Sequence, residues 1–167
     1  MPDGSQPLRF RLNWPSSSTN GPRMAEMLGE MWRQIGIALE PQAMDSDALT
    51  AICCPAYDYD IMLWGWYFDT DPTYMLSVMA TDEIPTGINE TGYSSPAYDD
   101  LYKQQGTTLD PEERREIVWK MQELVLNDLV YIIPYYEQAV QAYRKDRFTG
   151  WVTDEGKVEL ENPASLT

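Results

Sequence analysis

The chain has 167 residues, 43% of them hydrophobic, which is enough for one sizeable core and predicts a single domain. Its 27 acidic and 12 basic residues give a formal net charge of -15. This charge argues against nucleic acid and anionic lipid as partners, because both are bound by clusters of Lys and Arg. Histidine is absent, so the commonest general base and metal ligand is missing and most familiar hydrolase mechanisms are excluded.

The sequence gives no support to a membrane span, a zinc site or a long-range disulfide. No run of about 18 apolar residues occurs, so direct membrane insertion by this chain is not expected. Cys53 and Cys54 are adjacent, which fits neither the CxxC spacing of zinc sites nor a disulfide that closes a loop. They are interpreted as small apolar residues near a helix end, with a strained vicinal disulfide as the alternative.

The first quarter of the chain alternates strand and helix patterns. Apolar and polar residues alternate over residues 8–14, which predicts a strand, and residues 37–43 predict a second one. Gly36 stands where a left-handed residue ends the intervening helix, and Asp45 or Ser46 can cap the next helix. The intervening helix is predicted to bury one apolar face in the core. That face comprises Met24, Met27, Leu28, Met31, Trp32 and Ile35.

Residues 59–64 form a nearly continuous apolar run, which is typical of a strand covered on both faces in a largely parallel sheet. We expect Trp64, in this run, to point inward. The succession of strands and helices predicts an α/β fold, with a sheet flanked by helices.

Three helices are then predicted by a capping residue followed by proline. Asp71, Ser95 and Asp110 are the capping residues, and the third helix is the longest. Residues 131–136 and 140–143 are read as late strands. The buried side of the long helix is predicted to consist of Ile117, Val118, Met121, Leu124, Val125 and Leu129.

Four acidic residues near the third strand suggest a metal site or a pair of catalytic carboxylates. They are Asp58, Asp60, Asp69 and Asp71. Their spacing does not match an EF-hand loop, so no metal is predicted. Asp60 is expected at the strand entrance and Asp71 at a helix cap, which leaves Asp69 without a structural role.

An aromatic cluster follows the same predicted strand. In open α/β sheets, ligands bind at the carboxyl ends of strands. Trp66, Tyr67 and Phe68 lie at such an end, so they are candidates for the wall of a ligand cleft. Core packing is the alternative role for each of them.

Five blocks of sequence resemble the peptide-binding proteins that serve ABC importers. The sequence DIMLWGW followed by DP resembles their DxxLxGW…DP stretch, and four other blocks agree with the family in unbroken order from about Leu8 to Trp151. The four are GIALE at 36–40, NETGYSSP at 89–96, DPEER at 110–114 and IIPYY at 132–136. The chain is therefore similar to the dipeptide, oligopeptide and nickel-binding family, known as bacterial extracellular solute-binding protein family 5.

The resemblance implies an architecture and a location. Residues 1–167 would be the C-terminal lobe of a two-lobed, type II periplasmic-binding-protein fold, with a mixed sheet flanked by helices and with the first lobe absent. The protein would lie outside the cytoplasm, in the periplasm or as a lipoprotein at the outer face of the membrane. Its partners would be a peptide or other small solute and an ABC permease, and it would be neither an enzyme nor dependent on a cofactor.

The resemblance also implies a ligand site. In the peptide-binding members, an Asp shortly after the GW pair holds the ammonium group of the peptide, and that position is Asp69 here, with Asp71 as the alternative. Other ligands on the same scaffold include nickel chelates and oligosaccharides. Two further function classes remain open: an enzyme that uses only Asp and Glu, such as a glycosidase, and a regulatory domain.

Overall fold

The computed structural model describes residues 8–66 and 71–136, together with residues 142, 144, 146–147, 153–154 and 157–158. The chain divides into two compact units, Met1–Tyr131 and Ile132–Thr167. In the second unit, β4 (Thr153–Asp154) pairs antiparallel with β5 (Lys157–Val158). Whether residues 1–167 form a single lobe stays a prediction.

The first unit begins with a parallel three-stranded sheet. Strand β1 (Leu8–Pro15) is central, with β2 (Ile37–Met44) on one side and β3 (Ile61–Met62) on the other. Helix α1 (Gly21–Arg33) connects β1 to β2, and α2 (Ser46–Cys53) connects β2 to β3. Helices that link parallel strands in this way confirm the predicted α/β class.

The sheet packs on α1 through a small hydrophobic core. Leu12 and Trp14 of β1 are buried together with Ala25 of α1. Gly21 permits this close approach, because a Cβ at that position would lie 2.2 Å from Cδ1 of Trp14. The first turn of α1 is therefore seated directly on the indole of Trp14.

The methionine-rich face of α1 is only partly buried, which corrects the prediction of a fully buried face. Met31 is 55% exposed, and Met27 is also exposed. Ile35, which was predicted on the same face, lies after the end of α1 and is 69% exposed. Met24, Leu28 and Trp32 are half-buried. Helical periodicity identified the apolar face, but it did not show how much of that face the three-stranded sheet covers.

Strand β3 is shorter than predicted, and Trp64 is 40% exposed instead of pointing into the core. The entrance to β3 is fixed by Arg11 of β1. The Arg11 side chain donates to Asp58 Oδ1 at 2.9 Å and to Asp60 Oδ2 at 3.2 Å, and the Arg11 amide also donates to Asp60 Oδ2, at 2.8 Å. Asp58 and Asp60 therefore join two parallel strands, and Asp60 marks the strand entrance as predicted.

The rest of the first unit contains three α-helices, α3 (Thr73–Ser77), α4 (Pro96–Thr107) and α5 (Pro111–Asn127), and a short 3-10 helix at Thr81–Glu83. Ser95 caps α4 by accepting from the Tyr98 amide, and Asp110 caps α5 by accepting from the Glu113 amide. The hydroxyl of Tyr98 donates to the Leu76 carbonyl at 2.7 Å, which ties α4 to α3. The second hydrophobic core comprises Leu76, Tyr98, Ile117 and Met121.

Two predictions about the end of α5 are wrong. Residues 131–136 form no strand, and Leu129 is exposed and not part of the buried face. Leu129 has a φ of 51°, so the chain leaves the helix through a left-handed residue and the helical face ends before it. The other late strand, at 140–143, lies largely outside the described residues.

Candidate functional site

The structure fixes the two residues that flank residues 67–70 in the sequence, Trp66 and Asp71. Trp66 is half-buried, and its Nε1 donates to Oε2 of Glu90 at 3.2 Å. Its ring meets Tyr74 of α3 edge-to-face, with 5.9 Å between the ring centroids. Trp66 is thus held by a polar contact at its indole nitrogen and by an aromatic contact on its ring.

Glu90 is a buried carboxylate, 6% exposed. Besides the indole of Trp66, the hydroxyl of Tyr131 lies 3.5 Å from the same oxygen, Oε2. The hydroxyl of Tyr59 donates to the backbone carbonyl of Glu90. Burial raises the pKa of the Glu90 carboxyl above its ordinary value, and the hydrogen bonds from Trp66 and Tyr131 oppose that rise.

The loop that carries Glu90 is itself tied down by Asn89. Asn89 is fully buried, and its Nδ2 donates to the carbonyls of Ala80 at 3.0 Å and Tyr93 at 2.8 Å. Its own carbonyl accepts from the hydroxyl of Tyr57 at 2.8 Å. These three hydrogen bonds hold Asn89 in place, and Glu90 follows it directly in the chain. The position of the Glu90 carboxylate is therefore well defined.

Asp71 makes a two-pronged ion pair with Arg114 of α5. Nη1 of Arg114 donates to Oδ2 of Asp71 at 2.7 Å, and Nη2 donates to Oδ1 at 2.9 Å. The Thr73 amide also donates to Oδ1, at 2.8 Å. Asp71 thus accepts from the first residue of α3, but the N-cap position is Pro72, one residue later than the predicted Asp71. Arg114, followed by Thr73, holds the pKa of the Asp71 carboxyl well below its usual range.

Arg114 also reaches the interior of the second core. Its Nε and Nη2 donate to Oε1 of Gln105 at 3.1 and 3.0 Å, and Gln105 is 1% exposed. Nη2 further donates to the hydroxyl of Thr73 at 2.9 Å. One guanidinium therefore links α5 to α4 and to the residues that begin α3.

The predicted site residues fall into two groups. Trp66 and Asp71 are positioned by the contacts above, whereas Tyr67, Phe68 and Asp69 lie outside the described residues. Sequence reasoning missed the roles of Glu90 and Arg114. Both lie inside blocks that were recognised, NETGYSSP and DPEER, so the resemblance pointed to them without showing their partners.

Cys53 and Cys54 are free thiols at the end of α2, as the interpretation of two small apolar residues predicted. Their Sγ atoms lie 2.8 Å apart. Burial raises the pKa of both thiols, so neither is poised as a nucleophile. Within the part of the chain that the structure describes, no three His, Cys, Asp or Glu side chains are grouped to hold a metal ion.

Among the described helices, none combines the length and the apolar composition needed to cross a bilayer.

Comparison with known proteins gives sequence relatives but no match to a family model. The oligopeptide-binding protein AppA of Bacillus subtilis is 25% identical over 114 residues, which cover 68% of this chain and 21% of that protein. The di/tripeptide-binding protein 3 of Pseudomonas aeruginosa is 29% identical over 122 residues, which cover 72% of this chain and 22% of that protein. The matches therefore span only 21–22% of the length of the curated relatives.

Solved structures share the fold of this chain. The ABC transporter substrate-binding protein CtaP of Listeria monocytogenes has a TM-score of 0.66 and 26% identity, covering 73% of this chain and 25% of that one. AppA of Bacillus subtilis, solved in complex with a nonapeptide, has a TM-score of 0.69 and 22% identity, covering 74% of this chain and 25% of that one. The predicted fold class, that of the two-lobed periplasmic binding proteins, is thereby confirmed.

The motif resemblance agrees with both comparisons, and it is confirmed. Over 68–72% of its length, this chain is a relative in sequence of the oligopeptide- and dipeptide-binding members of solute-binding protein family 5, and it shares their fold.

Proposed function

We propose that this chain forms one wall of a peptide-binding site in an extracytoplasmic solute-binding protein that supplies an ABC importer. The observation that carries the proposal is the agreement between the sequence relatives, which are named as oligopeptide- and di/tripeptide-binding proteins, and the contacts of the motif blocks. Those contacts position Trp66 and Asp71, on either side of residues 67–70 in the sequence.

In this proposal Asp69 binds the ammonium group of the peptide. Two carboxylates flank Thr70 in the sequence, and the structure supports a division of roles between them. Both oxygens of Asp71 accept from Arg114, and one also accepts from Thr73, which favours an anchoring role for Asp71. Asp69 is then the carboxylate left for the ligand, where it would make a charge-assisted hydrogen bond to any peptide with a free amino terminus.

Trp66, Tyr67 and Phe68 would supply the apolar wall beside that carboxylate. An aromatic surface accepts many side chains without reading their sequence, which suits a carrier of mixed peptides. We propose further that residues 1–167 act as the C-terminal lobe and that a second lobe closes the cleft, since the matches cover a quarter or less of each relative. The permease partner and a location outside the cytoplasm, with or without a lipid anchor, belong to the same proposal.

We propose binding without turnover. The relatives are named for binding and transport, and the thiol of Cys53 is buried and has a raised pKa. A histidine base is absent from the sequence. Peptides recovered after prolonged incubation with the chain should therefore be intact by mass spectrometry.

The test of the proposed function is a titration of the ¹⁵N-labelled chain with trialanine and with N-acetyl-trialanine, followed by NMR. We expect the indole signal of Trp66 and the amide signals of α3 to shift with trialanine and to shift much less with the acetylated peptide. A site that lacks part of its walls buries less of the ligand, so the affinity should be weak. Absence of any shift at millimolar trialanine, and with a mixed library of di- to pentapeptides, would contradict the proposal.

A further inference from the structure

We propose that Glu90 is a positioning residue of the ligand site, acting through the indole N–H of Trp66. The inference rests on the proposed function, because it assigns Trp66 to the wall that meets the peptide. It adds a residue that the motif resemblance left without a role. Glu90 lies 24 positions after Trp66, in the loop between α3 and α4.

The chemistry of the contact defines what Glu90 must supply. An indole nitrogen only donates, so a half-buried Trp66 needs an acceptor at a fixed place. Oε2 of Glu90 accepts from it at 3.2 Å, and the hydroxyl of Tyr131 also interacts with the indole. Tyr74 packs against the ring of Trp66. The hydrogen bond selects one orientation of the ring, and Tyr74 supports that orientation.

The residues around Glu90 fix its position beside Trp66. Its backbone carbonyl accepts from Tyr59. Its neighbour Asn89 is fully buried, donates twice through Nδ2 and accepts through its backbone carbonyl. Tyr131 approaches the same oxygen that Trp66 uses. A buried carboxylate is costly unless it is hydrogen-bonded. Of the contacts to Oε2 of Glu90, the one to Trp66 connects it to the predicted ligand wall.

The protonation state of Glu90 gives a signature that a purely structural contact would lack. Among the described residues, the other titratable groups near it are Tyr59 ahead of β3, Tyr131 after α5, the two thiols at the end of α2, and Tyr57, which binds the neighbouring carbonyl of Asn89. Burial raises the pKa of every one of them, so none of them changes charge between pH 4 and pH 7. Within this set, only the Glu90 carboxyl has an ordinary pKa inside that range, and burial raises it.

The experiment records the indole N–H signals of the six tryptophans and assigns Trp66 by its loss in Trp66→Phe. In the unchanged chain, the Trp66 signal should move with pH and have a midpoint above 4.5, the ordinary value for Glu. In Glu90→Gln it should keep a hydrogen-bonded shift and stop titrating. In Glu90→Leu it should move to the position of a free indole. Glu123→Gln removes a charge from the exposed face of α5 and should leave the titration unchanged.

Peptide binding is measured on the same variants with trialanine. Glu90→Leu should weaken it by about tenfold, the size expected for one hydrogen bond to a charged group, and Glu90→Gln by less. A Trp66 signal that is the same in Glu90→Leu as in the unchanged chain, or that does not titrate, overturns the proposal. Equal trialanine affinity in Glu90→Leu also overturns it, because the contact would then be structural only. If the unchanged chain binds no peptide while the Trp66 signal behaves as expected, the proposed function fails and the Glu90 contact to Trp66 stands.

Discussion

The guanidinium of Arg114 and the carboxylate of Asp71 meet in a two-pronged ion pair, although the two residues are 43 positions apart. The pair joins the first turn of α5 to a residue just before α3, whose carboxylate also accepts from the Thr73 amide. The same guanidinium donates two hydrogen bonds to the buried side-chain oxygen Oε1 of Gln105. Through Arg114, helix α5 therefore holds Asp71, the residue that follows residues 67–70 in the sequence.

Arg114→Gln should lower the free energy of unfolding by about 1–3 kcal/mol, because Gln105 would keep a buried acceptor without its donors. Arg114→Lys should recover only part of the loss, since an ammonium cannot donate to Asp71 and Gln105 in the same fork geometry. Urea unfolding followed by circular dichroism measures both. Arg115→Gln is the matched control: its exposed pair with Glu112 on the same helix should contribute less than about 1 kcal/mol. Equal losses in Arg114→Gln and Arg115→Gln would contradict the anchoring role.

Glu90→Gln should become more stabilising relative to the unchanged chain as the pH rises. The folded state raises the pKa of the Glu90 carboxyl through burial. The stability that Glu90 contributes is thus fully present below the unfolded pKa of about 4.3, and it is lost as the pH rises through the folded value. The side-chain amide in Glu90→Gln does not titrate, so its contribution to stability does not change over this pH range. Unfolding midpoints in urea at pH 4 and pH 7 measure the difference, with Glu123→Gln as the control for net charge. The same pH dependence in both variants would refute burial as the cause.

The two thiols should react slowly with iodoacetamide in the folded chain at pH 8. Burial raises the pKa of Cys53 and Cys54, so the reactive thiolate is scarce, and Cys53 is also shielded from the reagent. Mass spectrometry should show Cys54 modified before Cys53. Full and rapid modification of both is expected only after unfolding in urea under reducing conditions. Rapid modification of Cys53 without denaturant would contradict the packing at the end of α2.

The order of elements in the first unit could be predicted because it depends on local signals. Asp45, Ser95 and Asp110 cap the helices for which they were proposed. These signals lie within a few residues of the structure they cause, which is why a sequence shows them. The fold class followed from their order, and the comparisons agree with it.

Apart from the start of α3 and the end of α5, the failures concern contacts between distant parts of the chain. Periodicity found the apolar face of α1, but the cover over Met31 and Ile35 depends on neighbours that periodicity does not specify. The apolar composition of residues 131–136 predicted a strand, yet no partner strand pairs with them among the described residues. The pairing of Trp66 with Glu90 has no local pattern either, so only the folded chain reveals it.

The most direct test of the central claim is a double-mutant cycle between Asp69 and the peptide ammonium, using Asp69→Asn and N-acetylation of trialanine. If the two groups interact, acetylation should weaken binding to the unchanged chain by about tenfold or more and should weaken binding to Asp69→Asn very little. Asp71→Asn, in which the residue paired with Arg114 is changed, should stay sensitive to acetylation. Equal losses in the unchanged chain and in Asp69→Asn would show that Asp69 does not bind the ammonium group, and the proposed peptide site would lose its central residue.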